Sequence, residues 1–198
     1  MLLGLGNPGR EYKKTRHNVG FLFLDYLREA WEFPPFQENK KFQSEVSTGK
    51  RNNSTVILAK PDTFMNKSGT AVQNMLGFYH ESFGNIAVIH DDIDIPLGKI
   101  KVSRDSRSAG HRGVQDIIDK VGTQEFFRVR VGIGTQQVIQ NAVDFQQIPR
   151  NTSSFVLEKF SPEEISLLER IFPDMLSLLN KWLDQDSGFT KEQSGTIL

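Results

Sequence analysis

Histidine, aspartate and asparagine stand in this chain at the points where an α/β fold gathers its chemistry. Asn7 follows a short apolar run, Met1–Leu5. Thr63-Phe64-Met65-Asn66 follows the run Thr55–Ala59, and His90-Asp91-Asp92-Ile93-Asp94 ends the run that begins at Ile86. His17 and His111 each sit in a turn leading into a helix. In α/β sheets functional groups collect at the carboxyl ends of strands. A histidine oriented by a carboxylate can activate water as a general base, because an ordinary imidazole titrates near pH ~6.5. Two Asn amides can donate to a carbonyl oxygen as negative charge grows on it. There is no Cys and no Ser in a G-x-S-x-G elbow, so no activated covalent nucleophile is offered. The reaction class implied is hydrolysis of an acyl bond by directly activated water.

Other readings compete for the same residues. Gly4, Gly6 and Gly9 fit the G-x-G-x-x-G dinucleotide fingerprint. That fingerprint needs a helix opening inside the glycines, and Pro8-Gly9 reads as a turn instead. The acid at ribose-binding distance, Asp25, falls inside a helical pattern. Asp91, Asp92 and Asp94 could hold Mg²⁺ or be solvated turn residues ahead of Pro96-Leu97-Gly98. His17 could merely cap or pack beside its helix, and Asn7 could make an Asx-turn before Pro8. Asn66 could be a turn residue ahead of Ser68, and His90, alternating with Ile89, reads as structural.

The elements that must position these groups alternate along the chain. Strands are expected at Met1–Leu5, Phe42–Thr48, Thr55–Ala59, Ile86–His90, Lys99–Val102 and Arg128–Ile133. Helices are expected at Val19–Trp31, Gly69–Tyr79, Val114–Val121 and Glu163–Leu183. This order predicts one α/β domain over residues 1–198, with a twisted, mixed but largely parallel sheet flanked by helices and antiparallel pairing near residues 42–59. Ser161, Pro162 and Glu164 form a capping box for the last helix, with Phe160 and Ile165 as its staple. Gly122 ends the helix before it. Residues 135–154 read as a long polar loop with a short helix near 138–145, and residues 187–198 as a frayed tail.

At 198 residues the chain can bury an ordinary core. The absence of Cys excludes disulfides and thiolate metal sites. No signal peptide and no membrane span are legible, so a cytoplasmic location is expected. Net charge is zero, but residues 99–130 carry eight Lys and Arg against four Asp and Glu, while the stretch from Leu157 onward carries four against eight. That asymmetry is compatible with one positive face.

The motifs resemble those of bacterial-type peptidyl-tRNA hydrolases. Gly4-Leu5-Gly6-Asn7-Pro8-Gly9 with Tyr12 and Thr15-Arg16-His17-Asn18-Val19-Gly20 is similar to that family's N-terminal signature. Pro61 to Gly69, His90 to Gly98 and Arg128 to Gly134 resemble further signatures, in the same order. The resemblance implies a monomeric α/β enzyme, without metal or cofactor, that cleaves the ester between a peptide and the 3′ ribose of tRNA. It implies His17 as the general base, Asp91 as its orienting carboxylate, and Asn7 and Asn66 as ligands of the peptide backbone, Asn7 also favouring blocked over free aminoacyl groups. Tyr12 and Phe64 would line the site around the substrate's 3′ end, beside His111. Lys101, Arg104 and Arg130 would meet tRNA phosphates.

The chain departs from the family at informative places. The family's Gly-Gly-His-Asn-Gly is Ala109-Gly110-His111-Arg112-Gly113 here. Arg112 cannot accept a hydrogen bond, yet it can bind a phosphate or stack on the terminal adenosine. A basic residue expected at Ser103 is absent, and the loop over 135–154 is longer than usual and lacks the common Pro-Gly. The alternative reading is a non-catalytic RNA-binding relative of the same fold.

Overall fold

The structure, a computed structural model, describes residues 1–51, 54–135 and 152–184. Its strands are β1 (Leu2–Gly4), β2 (Gln37–Asn39), β3 (Ser44–Arg51), β4 (Ser54–Pro61), β5 (Ala87–Pro96), β6 (Ile100–Ser103) and β7 (Phe127–Gly134). Its helices are α1 (Val19–Ala30), α2 (Ser68–Tyr79), α3 (Arg112–Val121), a single turn α4 (Thr152–Phe155) and α5 (Pro162–Asp184). The strands form a seven-stranded sheet in the order β2-β3-β4-β1-β5-β7-β6. The inner pairs β4–β1, β1–β5 and β5–β7 are parallel, and the flanking pairs are antiparallel. All six expected strands and four expected helices are present. The additional strand β2 is polar throughout and exposed except at Asn39, so it shows no hydrophobic alternation. An outermost strand of this kind is set by its partner and by solvent rather than by burial.

Each face of the sheet has its own core. One packs Phe23, Leu24 and Leu27 of α1 and Leu168, Phe172 and Met175 of α5 onto Leu2, Leu58, Ile89 and Val129. The other packs Val72 and Met75 of α2 and Val114 and Ile117 of α3 onto Leu3, Ala59 and Val88. Burying each such side chain contributes about 1.5–3 kcal/mol. The glycine run serves this packing. A Cβ on Gly4 would collide with the Gly20 carbonyl, and one on Gly20 would meet the Ile89 carbonyl and the Leu5 nitrogen. Helix α1 therefore lies directly on β1 and β5. A 3₁₀ turn, Arg10–Tyr12, follows Gly9 where the dinucleotide fingerprint requires a helix.

One expectation changes at β5. The sequence stops this strand at His90 and leaves the acids in a turn. The strand continues to Pro96, with Asp91 and Asp92 in register with Val131 and Gly132, and the irregularity comes only between Asp92 and Pro96. Pairing with β7 extends the strand, so Asp91 and Asp92 are buried, not solvated. The last helix starts as predicted: Glu164 N–H donates to Ser161 Oγ at 3.3 Å and Ser161 N–H to Glu164 Oε2 at 2.9 Å. Gly122 closes α3 in the left-handed region, at φ 77°. The long loop is corrected at one end, since Thr152–Phe155 form α4. The short helix expected near 138–145 and the tail from 187 lie outside the described residues.

Candidate active site

Asp91 is the hub of the site. It lies at the carboxyl end of the central parallel strands, 3 % exposed, and a single carboxylate oxygen meets two histidines. His17 Nδ1 is 2.7 Å from Asp91 Oδ1, and His111 Nε2 is 3.0 Å from the same atom. The backbone settles the His111 tautomer. As the N-cap of α3, His111 accepts from Val114 N–H at Nδ1 (3.2 Å), so its proton sits on Nε2 and is donated to Asp91. For His17, an ionised Asp91 only accepts, so Nδ1 carries the proton and Nε2 keeps its lone pair. Burial alone would raise the Asp91 carboxyl. The electrostatic influence of the adjoining His17 and His111 rings and the hydrogen bonds they donate outweigh it and hold the group well below the usual carboxylate range.

The same geometry speaks to metals. Among the described residues, His17, Asp91 and His111 have their ligand atoms within 4.8 Å of one another. A metal-ligating imidazole normally donates from its other nitrogen, whereas the other nitrogen of His111 accepts. The donor set therefore suits proton chemistry better than a metal ion. The three acids do not make a cation cage either. Asp91 is held by histidines, and Asp92 accepts from Arg130 Nε at 2.6 Å and from Asp94 N–H at 3.0 Å.

Asn7 stands beside this hub, 7 % exposed. Its Oδ1 accepts from Met65 N–H at 2.9 Å, leaving Nδ2 as the donor it can offer. Its backbone is fixed by Asn18: Asn7 N–H donates to Asn18 Oδ1 and Asn18 Nδ2 donates to Asn7 O, both at 2.9 Å. Sequence reasoning gave Asn18 no role. Its place next to His17 in the Thr15–Asn18 turn was the one available signal, and a contact to a residue eleven positions away is invisible in a local pattern. His17 is held from the other side, its N–H donating to Val156 O at 2.8 Å. Arg16, also given no role from sequence, is 6 % exposed. It pairs with Glu164 and lies over the rings of Phe155 and Phe160, which ties the His17 turn to the start of α5.

A cleft of about 680 Å³ opens over these groups. Asn7, Tyr12, His17, Phe64, Asn66, Asp91, His111 and Arg112 all line it. Phe64 is 58 % exposed at its rim, unusual for so large an apolar ring. Thr152, Ser153, Val156 and Leu157 close another wall; the only sequence signal there is that Phe155 to Ser161 weakly resembles a further block of the family. Lys101, Arg104 and Arg130 are not part of the cleft lining. Lys101 and Arg130 are directly opposite each other in the β6–β7 ladder, so both side chains emerge on one face. His90 is structural, as expected. Its Nδ1 bonds to Asp91 O at 2.7 Å and its ring packs edge-on against His111. Burial, followed by the neighbouring His111, pushes His90 well below an ordinary imidazole.

Ala109, on the cleft wall, adopts a left-handed conformation, with φ 49°. An L-residue with a Cβ is strained there. Ala109→Gly is therefore expected to stabilise the protein by about 1 kcal/mol, raising Tm by roughly 2–4 °C. Thermal unfolding of the two proteins checks it, and an unchanged or lower Tm would show that the loop holds Ala109 without strain.

A buried aspartate shared by two histidines stands beside an asparagine donor at the carboxyl ends of a parallel sheet, an arrangement chemically able to move a proton. The chain belongs to the peptidyl-tRNA hydrolase family, whose model it matches over residues 1–196. It is 38% identical over 182 residues to a peptidyl-tRNA hydrolase of Mycoplasma mycoides, covering 91% of this chain and 90% of the relative. It is 40% identical over 185 residues to that of Aquifex aeolicus, covering 93% and 90%. The crystal structure of the peptidyl-tRNA hydrolase from Acinetobacter baumannii superposes with a TM-score of 0.80 at 29% identity, covering 98% of this chain and 94% of that one.

Proposed function

We propose that the protein hydrolyses the ester between a peptide and the 3′ ribose of tRNA, with His17 as general base. The observation that carries this reading is the His17–Asp91 pair, 2.7 Å apart, at the floor of the cleft. His17 Nε2 takes a proton from water as the water oxygen attacks the ester carbonyl. Asp91 stabilises the imidazolium that forms and keeps the ring in register. The amides of Asn7 and Asn66 hold the peptide backbone and donate to the oxyanion. Collapse breaks the bond to the 3′ oxygen, which receives the proton from His17. The products are the peptide acid and free tRNA, and the balance requires neither metal nor cofactor.

Tyr12 and Phe64 flank the 3′ end, and Arg112 meets a phosphate or the terminal adenosine. Outside the cleft, Lys101 and Arg130, with Arg104 nearby in sequence, form the strip that docks phosphates. Asp92 accepts from Nε of Arg130 at 2.6 Å, so the donors proposed for a phosphate are the terminal nitrogens. Arg130→Ala should weaken tRNA binding and lower the salt slope of affinity by about one. Binding titrations across a salt series check this, and an unchanged slope removes Arg130 from the phosphate strip.

The function itself is tested by offering N-acetyl-aminoacyl-tRNA and unblocked aminoacyl-tRNA in parallel. Cleavage of the blocked substrate alone is expected. Salt-sensitive tRNA binding without cleavage would make the protein a binding-only relative, and Arg112 the first residue to revert to Asn.

A further inference from the structure

One buried cation has no part in the chemistry above. Arg128 lies on β7, 1 % exposed, beneath the second core face. Its ring neighbour is Phe126, with the guanidinium 5.0 Å from the ring centroid. Its terminal nitrogens donate to backbone carbonyls of the loop between β6 and α3: Nη1 to Arg107 O at 3.0 Å, and Nη2 to Ser106 O. Taking a guanidinium out of water is expensive unless its donors are used. Here both bonds go to main-chain oxygens, so what the residue fixes is the path of the loop.

That loop needs fixing. Two of its residues, Asp105 and Ala109, hold left-handed conformations at φ 51° and 49° without being glycine, and such strain persists only where the surroundings over-determine it. The loop carries Arg107 and leads directly into His111 and Arg112 on the cleft wall. Other ties reach the same loop: Gln124 Nε2 donates to Asp105 Oδ1 at 3.0 Å, Ser108 Oγ donates to Gln115 Oε1 at 2.7 Å, and Ser106 Oγ donates to Ser103 Oγ at 3.2 Å.

We infer that Arg128 is a positioning residue, a buried clamp on the carbonyls of Ser106 and Arg107 that sets how Arg107, His111 and Arg112 are presented to the substrate. The kinetic part of this inference rests on the proposed hydrolase activity; the clamp itself does not. Asp91 is fixed on β5 and His17 by the Val156 carbonyl. His111, which links them to this loop, is also held as the cap of α3, so loss of the clamp acts on substrate binding more than on the chemical step.

The test compares wild type, Arg128→Met and Arg128→Lys by hydrogen exchange and by hydrolysis of N-acetyl-aminoacyl-tRNA. In Arg128→Met, amides of residues 104–111 should exchange at least tenfold faster while β5 and α1 stay protected, and KM should rise about tenfold with kcat falling less than threefold. Arg128→Lys keeps the charge and reaches one carbonyl, so it should recover part of both effects. A lower Tm with wild-type exchange in the loop and unchanged KM would overturn the inference, leaving Arg128 an ordinary core residue. If Arg128→Met does not fold, Arg128→Lys decides: faster exchange confined to 104–111 supports the clamp, and wild-type exchange there overturns it. If the wild type shows no hydrolysis, the proposed activity fails while the exchange data still decide the clamp.

Discussion

His17→Ala is expected to reduce turnover of a blocked aminoacyl-tRNA by about 10³-fold or more while changing tRNA affinity less than about twofold. The size follows from the site. Among the described residues, the imidazoles near the cleft floor are His17, His90 and His111, and only His17 has a free ring nitrogen facing the cleft, since the free Nε2 of His90 is buried away from it. His111 spends its Nδ1 on Val114 N–H and its Nε2 proton on Asp91. His90 is 2 % exposed and bonded to Asp91 O. Neither can replace the lost base. Affinity should be spared because the proposed phosphate strip, Lys101 and Arg130, lies on β6 and β7 outside the cleft lining. Turnover and tRNA binding measured on the same preparation check both halves. Near-normal turnover in the variant would remove His17 from the general-base role.

Asp91→Asn is expected to lower kcat by about 10³-fold and to move the acid limb of the pH–rate profile to lower pH. An asparagine keeps the shape but removes the charge that stabilises protonated His17, and its amide can present N–H where Nδ1–H of His17 needs an acceptor. Stability should respond as well, with a definite sign. Asp91 is held below its ordinary value of 3.8 in the folded protein, so its contribution is fully present above about pH 3.8 and is lost as pH falls below that value. The variant should therefore lose less stability than wild type on acidification below about pH 4. Kinetics over pH 5–9 and urea unfolding over pH 3–7 check the two parts. An unchanged pH–rate profile would show that Asp91 does not act through His17.

Much of this arrangement is legible in the sequence because it is local. Six strands and four helices follow from short apolar runs and amphipathic periods, and the caps at Ser161 and Gly122 follow from single residues with specific geometries. Asn7, Phe64, Asn66 and Asp91 could be gathered because they come at or after the ends of expected strands, where an α/β sheet places its functional groups, and His17 and His111 because each stands in a turn leading into a helix. What the sequence hides is long-range. Strand β2 has no apolar residue to announce it. Asp91 and Asp92 belong to β5 only because β7 pairs with them. Asn18, Arg16 and Arg128 look like ordinary polar residues until the fold brings Asn7, Glu164 and the β6–α3 loop against them. The motif order nevertheless marked the family, since five separated blocks constrain far more than the glycine run alone.

Whether water itself makes the first bond is decided by single-turnover hydrolysis of N-acetyl-aminoacyl-tRNA in ¹⁸O-water, with enzyme in excess. One ¹⁸O is expected in the released acid in the first turnover, none in the 3′ hydroxyl of the tRNA, and His17→Ala should lose the reaction. An unlabelled acid, or an acyl group trapped on the protein, would contradict direct attack by water, because either result would mean that a side chain of the enzyme and not water makes the first bond.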